Sequence, residues 1–353
     1  MEFSNLPKHR KEQLAQLTTG TSRIVLSLLM GLFGAGLIWS IDSALPPAQE
    51  FPEFSEVLPD VPWDYELFEG VDYANPATTE QVAYGRRLIM ETADYLGPNS
   101  SKPFAGNNLD CNSCHLDGGT KPFAAPFVTV PSQFPQFRNR ENKEGTIQER
   151  INGCMQRSMN GRPLPENSEE LAAMVAYMEW LSIDKPRGEK INGNKFLKVD
   201  YPDRTVDLKH GEKVYIQHCT TCHGTDGRGQ RNPGSNTYLY PPLWGPDSYN
   251  HGAGMHRVIT AAQFIKGNMP LGTTADEPLL SDEEAYDVAG YINSFARPLK
   301  NNPEADFPNK KLKPMSTPYG PWVDPFSAAQ HKYGPFGEIA AYYQQEYGLK
   351  KSK

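Results

Sequence analysis

The chain of 353 residues is short of apolar side chains. Ala, Val, Ile, Leu, Met, Phe, Trp, Tyr and Cys together make up 38% of it, beside 30 glycines and 31 prolines. That balance excludes a large aliphatic core and points to loop-rich domains whose interior is filled by something other than side chains. Positive charge is short as well: 35 Lys and Arg stand against 42 Asp and Glu, a net charge of -7. With no basic stripe anywhere, nucleic acid is excluded as a partner. Small anionic substrates are not, because they answer to local rather than total charge. Long apolar runs are nearly absent, and cysteine is scarce, with five in all.

The one long apolar run is IVLSLLMGLFGAGLIWSI, residues 24–41, without a charge. As a helix it reaches about 27 Å, enough to cross a bilayer with slight thinning. Lys8, Arg10, Lys11 and Arg23 precede it, and Asp42 and Glu50 follow. The positive-inside bias places residues 1–23 in the cytoplasm and the rest of the chain outside, in the periplasm. Reading the run as a cleaved signal peptide puts Asp42 at a position before Ala44 that wants a small residue. An uncleaved anchor is therefore expected, and either reading exports the chain.

Residues 42–62 form a Pro-rich, acidic spacer. Two similar blocks follow, 63–190 and 205–299, and then a Pro- and Tyr-rich stretch, 300–353, expected to be an extended tail. Each block opens on a helical pattern with a glycine, Gly85 or Gly211, and closes on an amphipathic helix with aromatics. The glycine leaves room for an aromatic of the closing helix. Thr146 with Glu149, and Ser281 with Glu284, read as capping boxes.

Between opening and closing helix each block carries CxxCH: Cys111, Cys114 and His115, then Cys219, Cys222 and His223. This is the attachment signature of haem c, in which two thiols bond the vinyl groups and the histidine becomes the proximal iron ligand. A zinc site would want four ligands at close spacing, and these motifs lie over a hundred residues apart. Two covalent haems also explain the thin core. The expected fold is all-α: two class I-like cytochrome c domains behind an N-terminal transmembrane helix.

Each iron needs a sixth ligand. For the second, Met269 in GNMPLG comes late in its block and before a proline; Met255, His251 and His256 are the alternatives. For the first, His115 is the sole histidine between the apolar run and residue 209, so the candidates are Cys154, Met155 and Met159 in RINGCMQRSMNG. Arg150, Cys154 and Ser158 share one helical face. A lone thiol in an oxidising compartment is a liability unless something binds it, and a flanking arginine favours the thiolate.

LDCNSCHLDGG, ERINGCMQRSMNG, YPPLWGPDSYNHGAGMHRVITAAQFIKGNMPLG and PYGPWVDPFSAAQHKYGPFG together resemble the tetrathionate-forming thiosulfate dehydrogenases, dihaem c-type cytochromes. The likeness covers roughly residues 65–340. It implies His115 with Cys154 on the first haem and His223 with Met269 on the second. It implies an active site at the cysteine-ligated haem, with Arg140, Arg150 and Ser158, and Arg138 as a further neighbour. Some members carry a lysine before the methionine and exchange ligands on reduction; Asn268 stands there in this chain. The implied partners are thiosulfate, tetrathionate and a soluble or membrane-bound cytochrome acceptor; the inner membrane is expected from the apolar run 24–41, which the likeness does not cover. The reverse reaction, tetrathionate reduction, is left open by the resemblance.

Overall fold

The computed structural model describes residues 76–182 and 191–352. The apolar run 24–41 and the spacer 42–62 lie outside them. Among the described residues no helix is long and apolar enough to cross a membrane.

The first half runs through α1 (Pro76–Met90), α2 (Thr92–Leu96), α3 (Ile147–Arg157) and α4 (Glu169–Trp180). A small hairpin, β1 (Gln136–Arg138) on β2 (Lys143–Gly145), precedes α3, with Gln136 opposite Gly145. The second half has α5 (Leu208–His218), the hairpin β3 (Gln230–Arg231) on β4 (Tyr238–Tyr240), α6 (Val258–Asn268) and α7 (Asp282–Ser294). The described chain is thus helical apart from two hairpins that pattern reading did not anticipate.

Both expected capping boxes form. Thr146 Oγ1 accepts from the Glu149 amide at 3.2 Å, and Glu149 Oε2 accepts from the Thr146 amide at 2.9 Å. Ser281 and Glu284 repeat the exchange at 3.2 and 2.8 Å. These contacts satisfy amides that a helix start leaves without intrahelical partners, so α3 and α7 begin where the sequence places them.

In each half the opening and closing helices cross at the predicted glycine. A β-carbon on Gly85 would lie 2.0 Å from the Ala173 carbonyl oxygen and 2.8 Å from Tyr177 Cβ. On Gly211 it would lie 2.1 Å from the Asp287 oxygen and 2.9 Å from Tyr291 Cβ. Only hydrogen fits at these crossings, and the aromatic anticipated on the closing helix is in place in both.

Residues 300–353 do not form an extended tail. Helices α8 (Ala328–Tyr333) and α9 (Gly337–Tyr347) fold back, and Met315, Phe336, Ile339 and Tyr343 join Tyr215, Trp244, Ile259 and Tyr286 in the second core. Fully burying one large apolar side chain is worth about 1.5–3 kcal/mol, so these four matter to the second half. The buried His331 pins the fold-back. Its Nδ1 is 2.7 Å from the Met315 carbonyl and its Nε2 2.9 Å from Asp324 Oδ1, while the Tyr343 hydroxyl donates to Asp324 Oδ2 at 2.7 Å.

Candidate active site

A cavity of about 740 Å³ opens in the first half. Cys111, Cys114 and His115 line it, as do Cys154, Met155, Ser158 and Met159 from α3 and its C-terminal end. Tyr249, Met255 and Gln263 of the second half complete its wall. The three candidates for the first sixth ligand therefore face one space. Cys154 is the one with a charged partner: Arg150 Nη1 donates to its Sγ at 2.7 Å. Burial raises the Cys154 thiol, but the Arg150 charge and the adjacent His115 ring pull it down to about 5. That shift favours the thiolate form of the sulfur, whose neighbours are Arg150 and His115.

The donor set fits a c-type haem. His115 Nδ1 lies 2.6 Å from the Ala125 carbonyl, which fixes the proton on Nδ1 and leaves the Nε2 lone pair for iron. His223 repeats this in the second half, with Nδ1 2.8 Å from the Pro241 carbonyl. The Cys111 and Cys114 thiols are pushed up to about 12, chiefly by burial. They stand beside His115 as neutral groups able to add across vinyl bonds. Burial likewise pushes the Asp110 carboxyl up to about 7, against a hydrogen bond from the Ala93 amide.

In the second half Met269 caps the C-terminal end of α6 and packs, half-buried, on the core that also receives Cys219 and Leu243. The alternatives stand elsewhere. Met255 lines the first cavity, His251 accepts from the Lys300 amide at 2.8 Å, and burial pushes the His256 ring down to about 3. Asn268 is fully buried, its amide donating to the Phe123 and Phe264 carbonyls at 3.1 and 3.0 Å. It is tied to the first half instead of being free to swing.

The arginines separate. Arg138 and Arg150 line the cavity; Arg140 does not. Arg140 Nη1 is 2.5 Å from Asp306 and donates to the Tyr319 hydroxyl at 2.8 Å, and its plane lies over Phe307. It is a brace between β1–β2 and the C-terminal stretch. Sequence reading also passed over Arg157, buried one turn beyond Cys154 with Glu141 4.0 Å away, and the connector residues Asn194, Lys195, Phe196 and Lys198, which line the cavity. The position of Arg157 on α3 was a usable signal; nothing local marked the connector.

Two attachment triads, each with an oriented histidine and a sulfur donor in the same half, define a dihaem c-type cytochrome. Residues 101–187 match the SoxA/TsdA cytochrome c domain family and residues 208–296 the cytochrome c family, so the protein carries two covalently bound c-type haems. The chain is 47% identical over 206 residues to a thiosulfate dehydrogenase of Psychrobacter arcticus, covering 58% of this chain and 61% of that protein. It is 44% identical over 234 residues to one of Allochromatium vinosum, covering 65% and 83%. The solved thiosulfate dehydrogenase (TsdBA) of Marichromatium purpuratum is similar with a TM-score of 0.59 at 37% identity, over 65% of this chain and 48% of that one. This chain belongs to the thiosulfate dehydrogenase family.

Proposed function

We propose that the protein oxidises two thiosulfate dianions to one tetrathionate dianion, releasing two electrons to an external cytochrome. The observation that carries this reading is the Cys154 sulfur, which accepts from Arg150 Nη1 at 2.7 Å and stands beside His115 in the cavity lining. His115 and Cys154 would hold the iron of the first haem, and His223 and Met269 that of the second.

The Cys154 sulfur bonds the outer sulfur of one thiosulfate, and two electrons leave. A second thiosulfate attacks that same outer sulfur, tetrathionate departs, and the thiolate is restored. Bound haems supply two one-electron sinks, so both electrons can be held until the acceptor takes them singly. Arg150 and Arg138, with planar forks matched to oxyanions, hold the sulfonate groups, and the Ser158 hydroxyl adds a neutral donor. Arg140 serves by bracing β1–β2, the hairpin that carries Arg138. The second step is a thiol–sulfur exchange and the first a two-electron oxidation; given two electrons from a reduced cytochrome, both run backwards and the site acts as a tetrathionate reductase. Residues 24–41 anchor the protein in the inner membrane with the haem domains in the periplasm.

The test adds thiosulfate to the oxidised holoprotein in the absence of any other protein. Reduction of the haems with stoichiometric tetrathionate supports the proposal. No reduction would reassign the chain as an electron carrier, and reduction that needs a second protein would move the sulfur chemistry onto that partner.

A further inference from the structure

The connector between the halves has no part in the reading above, yet it is firmly placed. The Gly193 carbonyl accepts from the Phe123 amide at 2.7 Å, Phe196 meets Phe264 of α6 edge-on at 6.2 Å, and Leu197 closes over Gly267. The segment pinned this way lines the Cys154 cavity with Lys195 and Lys198, both exposed, so both stand at its opening. Arg138 and Arg150 lie further in, and the single carboxyl on the wall is Asp110, beside Cys111. Lys198 Nζ is 2.7 Å from Asp200 and largely offset by it; Lys195 makes no ion pair among the described residues.

A chain of net charge -7 repels a dianion at long range. A cavity that holds a haem, whose propionates add negative charge, and must admit two dianions in succession therefore needs positive charge where they arrive. We propose that Lys195 is a specificity-determining residue that draws dianionic sulfur oxyanions into the opening ahead of Arg138 and Arg150. This inference rests on the thiosulfate reading of the same cavity. It extends that reading to a residue held in place by the second half, through Phe196 and Leu197 on α6.

Two readouts on the full-length holoprotein test it. In one, thiosulfate is titrated into the fully reduced protein, where no oxidation can occur, and binding is read from the haem absorbance. In the other, kcat/KM is measured against ionic strength. Lys195→Gln should weaken binding and lower kcat/KM about three- to tenfold at low ionic strength, with kcat nearly unchanged. The difference should close at high salt, where the Debye length shrinks to about 3 Å. Lys195→Arg should behave as wild type, and so should the charge-neutral pair Lys198→Gln with Asp200→Asn. Reduction by an uncharged quinol should not change in any of them.

If Lys195→Gln binds thiosulfate as wild type does at low salt, or slows the quinol equally, the inference is wrong. If no variant, wild type included, shows any thiosulfate binding, it is wrong as well. Binding without oxidation in the wild type would instead remove the proposed reaction, while the titration still decides the role of Lys195.

Discussion

Replacing Gly211 by alanine probes the packing that positions the second CxxCH. The new β-carbon would stand 2.1 Å from the Asp287 carbonyl oxygen, 2.6 Å from its carbon and 2.9 Å from Tyr291 Cβ. Two of these three atoms are backbone, so no rotamer change relieves the clash, and α5 must move off α7 by about 1 Å. Overpacking of this kind costs about 1–3 kcal/mol, and a backbone obstacle belongs at the upper end. Alanine recovers about 1 kcal/mol of helix propensity. The net loss is therefore about 1–2 kcal/mol, or a fall of about 2–8 °C in melting temperature for a domain of this size. Thermal unfolding of the holoprotein, followed by far-ultraviolet circular dichroism and haem absorbance together, reads this directly. An unchanged or raised melting temperature would refute the close approach of α5 and α7.

Arg150→Lys keeps the charge and loses the planar fork, so turnover should fall with haem spectra little altered. Arg150→Ala should lose about one to two decades in kcat/KM, since a charged hydrogen bond contributes about 1.5–3 kcal/mol; an Arg150→Lys rate equal to wild type would contradict the fork. Met269→Ala should abolish the weak sulfur-to-iron absorption band of the second haem and lower its potential, leaving the first haem untouched. Persistence of the band in Met269→Ala, with its loss in Met255→Ala, would reverse the assignment. Asp287 supplies a pH test. Burial opposes its ionisation, but hydrogen bonds from Arg204 and His210, at 2.8 Å each, outweigh that and hold its carboxyl below the usual range. A depressed folded pKa gives stability that is full above the unfolded pKa of about 4 and fades as pH falls through the folded value. Wild type should therefore lose melting temperature below about pH 4, and Asp287→Asn should start lower at neutral pH and lose less on acidification. Parallel curves would remove Asp287 from the account.

Much of this architecture is carried by short-range signals. Both CxxCH motifs, the capping boxes at Thr146 and Ser281, and the crossing glycines Gly85 and Gly211 each express a local requirement, and each is met. Cys154, Arg150 and Ser158 lie at fixed offsets on one helix, so their meeting at the cavity follows once α3 forms. What escaped has long-range causes. Arg140 reads as a ligand-facing arginine, but its partner Asp306 is 166 residues away, and no pattern near either announces the pairing. The C-terminal stretch lacks periodicity because α8 has 6 residues and α9 buries only Ile339 and Tyr343. Those helices are held by the second core and the His331–Asp324 contact rather than by propensity. Lys195 sits in a polar connector and gains its position from Phe196 and Leu197 packing on α6.

The central claim is that the Cys154 sulfur carries the substrate. The most direct measurement compares wild type with Cys154→Ala, both confirmed by mass to hold two covalent haems, since attachment uses only Cys111, Cys114, Cys219 and Cys222. Each oxidised protein is mixed with thiosulfate and followed for haem reduction and tetrathionate. The account predicts rapid reduction with tetrathionate in wild type and nearly none in Cys154→Ala, whose haems an uncharged quinol should still reduce. Thiosulfate oxidation by Cys154→Ala at close to the wild-type rate would contradict it.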